Sequence, residues 1–495
     1  MKRFFLVLSL AVLVLVPACV QISPLPDDDG DAADGAKRER ITQEQIDADE
    51  FSIPELIFKG RNLVLRNWKV QDGFGNGLGR AAPNINRLPG PDSTSCMSCH
   101  GLGNGVVLGW GSNASNVLVA LDDPENPTIG GSNERNTPTV HGLVLLELLA
   151  KEISTDLQAL RDEGIAEAAA SGVEVTKALT SKGIDYGAIT AQPDGSVDTS
   201  GVVGTDLDLR VRPFHAKGHE ATIRIFTRGA LNRHHGIQST EFLMIQDSER
   251  DPETWDADQD GVVNELTEGE LTAMTLFQVC MPIPQEVDQE RESIASGRAL
   301  METIGCTQCH KPALTLDDPT WRFTSSNGVT LSADLTDSEL LGAGRPTRET
   351  DGAVMVALWA DLKRHDLGPE SHEPLDQPVD RSMPNHESGT IAALIDEELP
   401  PIPKELMLTT ELWGVRDTGP WWHDGSSATI EDAILRHGGE AAEAQDAYLA
   451  LSAEGQRDLL AFLNSLQVAS VGEILVASDP NANAKVRLDS IDGTE

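Results

Sequence analysis

The chain is short of cysteine and of basic residues. Four of its six cysteines lie in two C-x-x-C-H motifs; Cys19 lies near the N-terminus and Cys280 in an apolar run, which leaves no pair for a disulfide. Its 38 Lys and Arg against 79 Asp and Glu give a formal net charge of −41, which argues against nucleic acid and anionic lipid surfaces as partners. Beyond the N-terminus, no run approaches the ~20 apolar residues of a membrane span.

The two motifs are Cys96-Met97-Ser98-Cys99-His100 and Cys306-Thr307-Gln308-Cys309-His310. This spacing is typical of c-type haem attachment, in which both thiols bond one porphyrin and the adjacent imidazole binds the iron. The alternatives are a zinc half-site and a redox C-x-x-C, but zinc needs a second Cys or His pair at ligand spacing. Two complete pentads in one chain favour two covalent c-type haems. Eight residues are Trp, and such flat apolar side chains suit a haem pocket.

The N-terminus is predicted to be a signal peptide over residues 1–18, with a basic start, an apolar run and a small residue before the cleavage site. Cys19 follows directly and resembles a bacterial lipobox cysteine. Val20 rather than Asp behind it favours the outer membrane of a Gram-negative source. We therefore expect a chain on the periplasmic side, touching the membrane only through a lipid anchor; the alternative is ordinary cleavage that leaves a free thiol.

The sequence predicts a mainly α protein with two cytochrome c-like haem domains, long loops and a few short strands. The domains are predicted at 52–245 and 285–468, after a disordered acidic tether at 19–50. Residues 246–284 are predicted to be a linker and 469–495 a tail of unknown role. Cys280 is expected to be a buried, inert thiol. Helices are predicted at 54–68, 143–160, 222–231, 293–301 and 453–466, and short strands within 187–212.

Within the linker, residues 256–264 follow the pattern of a calcium-binding loop. Asp256, Asp258 and Asp260 stand at positions 1, 3 and 5, and Asn264 stands at position 9. Position 12 is Thr267, where such loops carry a bidentate Glu, and Glu265 and Glu268 stand nearby instead. The alternative is a solvated acidic turn. A bound cation would neutralise and stiffen this segment between the two haem domains.

The segment Thr418-Gly419-Pro420-Trp421-Trp422-His423-Asp424-Gly425, with Thr429 to Ala433 after it, resembles the C-terminal signature of bacterial di-haem cytochrome c peroxidases. More closely, the chain resembles the di-haem oxidoreductase family, also called thiol oxidoreductases, within that superfamily. Further hallmarks of the family stand at 135–140, 365–368 and 437–441, and the resemblance covers roughly 52–470. It implies an oxidoreductase with two haems.

The resemblance also implies a second ligand for the His310 haem. Eight positions after Thr429, the superfamily places a Met in the peroxidases, and a Tyr in the enzyme that matures a tryptophan-derived quinone cofactor. Here that position is His437. From residue chemistry alone, a histidine near a helix C-terminus would interact with the helix dipole. The only tyrosines of the chain, Tyr186 and Tyr448, stand elsewhere.

The first half departs from the peroxidases, which carry an acidic residue and Met before Gly and use that carboxylate to deliver protons. By a loose alignment this chain has His234 and His235 there. We predict that one of them does acid–base work at the His100 haem, because the pKa of histidine lies near neutral. Alternatively, one imidazole of the pair binds the iron and closes the site. Three further histidines stand in this half: His141, His215 and His219. A single histidine is more often structural than functional, and this holds for each of the five.

The function predicted from the sequence is an oxidoreductase of the di-haem peroxidase type, which reduces hydrogen peroxide or uses it to oxidise a partner. The His310 haem would relay electrons and the His100 haem would carry the chemistry. One predicted partner is a small redox protein or cytochrome; a basic one would be attracted to the acidic surface of this chain. The other is peroxide or an organic small molecule. The alternatives are a non-catalytic electron carrier and an oxidase of proteins or organic substrates.

Overall fold

The computed structural model describes residues 40–75, 91, 93–101, 116–118, 133–337, 346–350, 352–396 and 398–468. The predicted signal peptide at 1–18, Cys19, most of the tether and the tail at 469–495 lie outside these residues. Residues from Ile41 onward form one unit. None of the helices in the described part has the length and apolarity that crossing a membrane requires.

The described residues form helices of very different length. They are α1 Gln43–Asp47, α2 Ile53–Val64, α3 Leu143–Ser171, α4 Ile223–Ala230, α5 Thr240–Gln246, α6 Glu268–Val279, α7 Glu292–Thr303, α8 Asn385–Ser388, α9 Ile430–Ile434, α10 Ala442–Ala450 and α11 Ala453–Leu463.

The strands form small antiparallel sheets, so the described fold is mixed rather than mainly α. One sheet has three strands in the order β3–β4–β5, and the others are pairs: β1–β2, β7–β10, β8–β9, β11–β12 and β6–β13. The prediction of a mainly α protein overlooked these strands because most are only two to five residues long. The strands are β1 Asn116–Leu118, β2 Asn133–Arg135, β3 Val175–Ser181, β4 Ile184–Ala191, β5 Val197–Asp198, β6 Gln285–Glu286, β7 Leu314–Leu316, β8 Thr320–Thr324, β9 Thr330–Asp334, β10 Val354–Val356, β11 Arg364–Asp366, β12 Leu406–Leu408 and β13 Leu466–Gln467.

Two helix pairs cross at glycines and frame the two pentads. In the first pair, α2 packs on α6, and a Cβ on Gly60 would lie 1.9 Å from the Ala273 carbonyl oxygen. In the second, α7 packs on α11, and a Cβ on Gly297 would lie 2.0 Å from the Asp458 carbonyl oxygen. Each crossing therefore needs glycine, because only a residue without a side chain allows backbones to approach so closely. Helix α7 ends three residues before Cys306, so this crossing positions the second pentad.

The long helix α3 supports the first pentad's surroundings through one buried carboxylate. Glu147 accepts a hydrogen bond from the Ile223 amide at the start of α4 (2.7 Å) and another from Trp321 Nε1 (3.1 Å). Amides in the first turn of a helix lack intrahelical partners, and Glu147 satisfies one of them from another element. The orientation of α4, which lines the first candidate site, thus depends on α3.

Two predicted boundaries need correction. The tether was expected to be disordered to residue 50, but Thr42 caps α1 and both Ile41 and Ile46 are buried in the main core. The linker at 246–284 contains α6, whose side chains are nearly all buried. Both segments contain apolar residues that the core requires, and their neighbouring acidic residues obscured this in the sequence. Cys280 is buried, as predicted.

We predict that Gly297→Ala destabilises the protein by about 1–3 kcal/mol, the usual cost of overpacking a core. The reason is that the new methyl group collides with the backbone of α11. Denaturant unfolding monitored by circular dichroism measures the effect. Gly455→Ala, in α11, is the matched control because the nearest atom to its Cβ lies at 3.6 Å; equal losses in both variants would contradict the steric explanation.

Candidate functional site

Both pentad histidines are held in the same way. The turns Cys96–Ser98 and Cys306–Gln308 precede them. His100 Nδ1 donates to the Pro138 carbonyl at 2.9 Å, and His310 Nδ1 donates to the Trp359 carbonyl at 2.9 Å. A carbonyl only accepts, so Nδ1 carries the proton and Nε2 carries the lone pair in each ring. This is the second-shell arrangement that orients metal-binding histidines.

Electrostatics support the same protonation state. Burial lowers the pKa of His100 to about 4. Burial and, to a smaller extent, the nearby His437 lower the pKa of His310 to about 4. Both imidazoles are therefore neutral at pH 7, with Nε2 free to bind a metal.

A cavity beside the first pentad has about 1000 Å³ of empty space, which includes space open to solvent. Cys96, Cys99 and His100 all line it, and so do side chains from α2, α4 and α6. Most of its walls are apolar, as in sites for large planar ligands. The apolar residues of the lining are Val64, Pro138, Val140, Ala216, Phe226, Ala230, Leu231 and Met274. The donor set and the size of this cavity fit a haem.

The second pentad faces another imidazole. The ring centroids of His310 and His437 lie 6.4 Å apart with an interplanar angle of 54°. Two metal–nitrogen bonds of about 2.0 Å, plus about 1.2 Å from each nitrogen to its ring centre, give a spacing of about 6.4 Å. His437 Nδ1 donates to the Ala433 carbonyl at 2.8 Å, which leaves its Nε2 with the lone pair. Burial lowers the pKa of His437, so this pair fits the two axial positions of one haem.

Two family hallmarks meet behind His437. The Gly438 amide donates to the Leu367 carbonyl at 2.9 Å, and a Cβ on Gly439 would lie 2.2 Å from the Asp366 carbonyl oxygen. His365 Nδ1 also contacts a Glu440 carboxylate oxygen at 2.8 Å. The His-Asp-Leu-Gly and His-Gly-Gly-Glu motifs therefore form one support that fixes the backbone on which His437 stands.

At the second pentad, the Cys309 thiol lies near Asp361 and His365, and these three groups are candidate ligands for zinc. His365 Nε2 contacts Asp361 at 3.0 Å and its Nδ1 contacts Glu440, so both nitrogens face carboxylates. Although burial opposes it, these contacts raise the pKa of His365 to about 11. An imidazolium has no lone pair for a metal, and this arrangement therefore disfavours zinc.

One short segment touches both candidate sites. Pro138 accepts the hydrogen bond from His100, and two residues earlier the Asn136 amide donates to the His423 carbonyl at 2.7 Å. The Asn136 side chain also donates to the Pro420 carbonyl. The hallmark Arg135-Asn136-Thr137-Pro138 therefore links the proximal side of the first site to the His-Asp-Gly loop of the second.

The predicted catalytic pair lies at the first cavity, and its two members differ. His235 is buried; its Nδ1 donates to the Ser93 carbonyl at 2.6 Å and its Nε2 lies 3.8 Å from Cys96 Sγ. His234 lines the same cavity and is only partly buried. Both histidines line the cavity, but His235 is directed at the attachment cysteine, whereas His234 is the more exposed of the two. Their predicted roles stay predictions.

A structural repeat with an offset of 207 residues relates the two halves. Phe214 bridges Glu220 as Trp421 bridges Ser427. His215 and Trp422 both have positive φ, at 67° and 76°. Thr222 and Thr429 both cap a helix through their side chains, and the following Ile223 and Ile430 are both buried. The two loops are therefore equivalent, one at each candidate site.

The repeat identifies a residue that sequence reasoning missed. By the same offset, His437 corresponds to Ala230 and Trp422 corresponds to His215; both first-half residues line the first cavity. An alanine cannot ligate iron, and His215 was considered only as a structural residue. The signal was present in the sequence, because Gly-His-Glu-Ala-Thr-Ile at 218–223 matches Gly-Ser-Ser-Ala-Thr-Ile at 425–430 in four of six positions.

The predicted calcium loop brings its three aspartates together. The carboxylates of Asp256, Asp258 and Asp260 lie within 4.8 Å of one another, and Asp258 is only 1% exposed. In the described part of the chain, none of the three pairs with Lys or Arg. Burial and the neighbouring Asp260 raise the pKa of Asp258 to about 7, so the metal-free cluster disfavours its own ionisation.

The structure shows which residue could replace the Glu that is missing from position 12 of the calcium loop. Thr267 caps α6 through its side chain. Burial, and then the charges of the three nearby aspartates, raise the pKa of Glu265. Glu265 also accepts a hydrogen bond from the Gln238 amide at 2.7 Å. Glu265 is therefore the residue that could replace the missing Glu, whereas Asn264, with φ 51°, forms the turn that leads to it.

The comparisons with known proteins agree with this geometry at one end of the chain. The family model described as "Di-haem oxidoreductase, putative peroxidase" matches residues 407–466. This match confirms the predicted family resemblance over these residues. The matched segment contains His437 and ends just after α11. The match to a di-haem family supports haem as the type of cofactor. No curated protein matches the chain.

Solved structures resemble the chain only distantly. Hydrazine synthase from Kuenenia stuttgartiensis, pressurised with 20 bar xenon, has a TM-score of 0.31 and 15% identity, with 87% of this chain and 96% of that chain covered. A MauG-like protein associated with microbial copper homeostasis has a TM-score of 0.25 and 16% identity, with coverages of 59% and 80%. Both TM-scores are too low to carry an argument.

We predict that His437→Ala converts one low-spin haem to high-spin and leaves the other haem unchanged, because it removes one of two facing imidazoles. Optical and EPR spectra of the ferric protein measure the change. His372→Ala is the matched control, since its imidazole contacts Asp366 instead (2.9 Å). An unchanged spectrum in His437→Ala would contradict axial ligation.

Proposed function

We propose that this chain is an exported di-haem c-type cytochrome oxidoreductase that reduces hydrogen peroxide or uses it to oxidise a partner. Its two pentads would hold covalent haems in two cytochrome c-like haem domains, framed by the helix pairs α2–α6 and α7–α11. The observation that carries the proposal is the asymmetry of the two sites. His310 faces His437 across 6.4 Å, whereas the equivalent position opposite His100 is Ala230 beside a large cavity.

The asymmetry divides the work between the sites. Cys96, Cys99 and His100 would hold a haem, which would supply the redox chemistry that peroxide reduction needs. The chain's own residues there orient the proximal imidazole through Pro138, exclude water with apolar walls and handle protons. Closed by two imidazoles, the second site suits electron relay. The two electrons would come from a small redox protein or another reduced partner, and two protons complete the conversion of peroxide to water.

For proton handling we retain His234 as a candidate acid–base residue, because it lines the cavity. His235 would have a supporting role through Ser93 and the Cys96 edge. An imidazole that is neutral near pH 7 can take a proton and return it within one turnover.

We also propose that the chain is anchored on the periplasmic side of the outer membrane through a lipid on Cys19. The lipobox-like sequence supports this, and haem c is attached outside the cytoplasm in bacteria. Fractionation of cells that express Cys19→Ser should recover the protein in the soluble periplasmic fraction. A variant that stays with the membrane would contradict the anchor.

Finally, we propose that Asp256, Asp258, Asp260 and Glu265 bind calcium. Four neighbouring carboxylates, of which Asp258 and Glu265 are buried and the other two half-buried, favour a hard cation with oxygen ligands. Because Glu265 accepts a hydrogen bond from the Gln238 amide, a cation there would also hold the segment that carries His234 and His235. Calcium would thereby stabilise one wall of the first cavity.

The function is tested by the ferric spectrum together with peroxide turnover. We expect two covalent haems per chain by mass spectrometry, one high-spin and one low-spin signal, and peroxide-dependent oxidation of a reduced small cytochrome. Loss of turnover in His234→Ala with an unchanged spectrum would support its acid–base role. Two low-spin haems without turnover would instead establish an electron carrier, and turnover with an organic reductant alone would favour an oxidase.

The calcium site predicts a stability effect with a defined pH dependence. Without calcium, the raised pKa of Asp258 means that stability is lost as pH rises from the usual carboxyl value of about 4 to about 7. Calcium at about 100 times its Kd should add about 2.7 kcal/mol near pH 7, measured as an increase in Tm. Asp258→Asn should abolish the increase, and Asp251→Asn, at an exposed turn, should keep it. A similar increase in both variants would contradict the site.

A further inference from the structure

We propose that His215, oriented by Glu220, is a catalytic acid–base residue at the open face of the His100 haem. This inference rests on the proposed function, since it needs a haem at His100 whose second axial position is free. It adds a residue that neither the family motifs nor the predicted pair His234 and His235 contains.

The first support is positional. In the second half, the Trp422 ring lies 5.4 Å from the His437 ring, in an edge-on contact. Trp422 is therefore the immediate neighbour of the residue that faces His310. Through the 207-residue repeat, His215 takes the place of Trp422, and Ala230 takes the place of His437. His215 consequently lies beside the position that a distal ligand would occupy, and no ligand side chain comes from that position. Its presence in the cavity wall agrees with this.

The second support is the hydrogen bonding of the ring. His215 Nε2 lies 2.9 Å from a Glu220 carboxylate oxygen. The ion pair with Arg233 keeps Glu220 ionised, so this carboxylate accepts and Nε2 donates. His215 Nδ1 then carries the lone pair, and it makes no hydrogen bond to another residue that the structure describes. A carboxylate that fixes the tautomer of a histidine base is a recurrent catalytic arrangement.

The third support is that the surroundings hold the pair in place. Glu220 is fully buried and forms an ion pair with Arg233 at 3.0 Å. The His215 ring stacks on His219 at 4.2 Å and packs against Phe226 at 4.8 Å. The backbone at His215 has φ 67°, a conformation that is uncommon for residues other than glycine and that clusters at functional sites. The three groups His215, His219 and Glu220 could also be considered as metal ligands, but the Arg233 charge on Glu220 opposes a cation there.

The proton transfer balances within the peroxide. Nδ1 takes the proton of one peroxide oxygen, and the same proton is returned to the other oxygen, which leaves as water when the O–O bond breaks. The two electrons come from the reduced partner named above, and the remaining oxygen takes two protons from solvent to become the second water. His215 ends the cycle neutral, as it began.

Cyanide association with the ferric haem tests His215 without requiring peroxide activity. Hydrogen cyanide must give up a proton as it binds iron, so a distal base accelerates its binding. We expect His215→Gln, which can keep the hydrogen bond to Glu220, to slow cyanide association by about 100-fold, the lower end of general acid–base effects, with the high-spin signal retained. His215→Gly is a second variant that its positive φ favours. His386→Gln is the matched control because this histidine lies beside Glu387 and does not line the cavity.

The possible results separate the inference from the proposed function. Slow cyanide binding in both His215 variants, but not in His386→Gln, supports the inference. Normal binding in the His215 variants overturns it while the proposed function stands, particularly if His234→Gln is the slow variant. A change from low-spin to high-spin in His215→Gln would show that His215 is a ligand, which also overturns it. A wild-type protein with two low-spin haems that binds no cyanide would overturn the proposed function itself.

Discussion

The hydrogen bonds from His100 and His310 to backbone carbonyls are the constraint on which the candidate sites depend. Each bond decides which nitrogen faces the cofactor, and each carbonyl belongs to a segment far from its pentad in sequence. Pro138 and Trp359 must therefore be placed before either imidazole has a defined orientation. The glycine crossings, the Glu147 carboxylate that fixes α4 and the paired motifs behind His437 all contribute to that placement.

The two halves show how one scaffold can support two different environments. The repeat conserves a bridged loop, a positive φ and a threonine cap, while the residues that face the cofactor differ. The second half has His437 and Trp422 at these positions, and the first has Ala230 and His215. A ring that fills the distal position suits electron relay, and its absence leaves space for a small molecule. The chemical difference between the two sites therefore comes from side chains on equivalent backbone, and Glu220 in place of Ser427 is one of them.

Much of the candidate site could be predicted from the sequence because its signals are local. The pentads and the family motif around His437 are short patterns, and α4 and α11 begin within one residue of their predicted positions. The buried helix α6 was missed because acidic residues precede it. The sequence left both Glu265 and Glu268 near the unfilled position 12, and only the structure separates them, because Glu268 accepts hydrogen bonds from Ser326 instead. The relation of His215 to the cavity depends on contacts across more than a hundred residues, which no local pattern contains.

The segment Arg135-Asn136-Thr137-Pro138 has a consequence for how the two sites communicate. Pro138 restrains the proximal imidazole of one site, and Asn136 is bonded to the loop that flanks the distal imidazole of the other. In the proposed di-haem protein, a displacement of one imidazole would therefore be transmitted to the other site through the backbone of this segment. The reduction potential of each proposed haem would then depend on the oxidation state of the other. The pair would behave as one two-electron reservoir, in which filling one centre alters the affinity of the other for its electron.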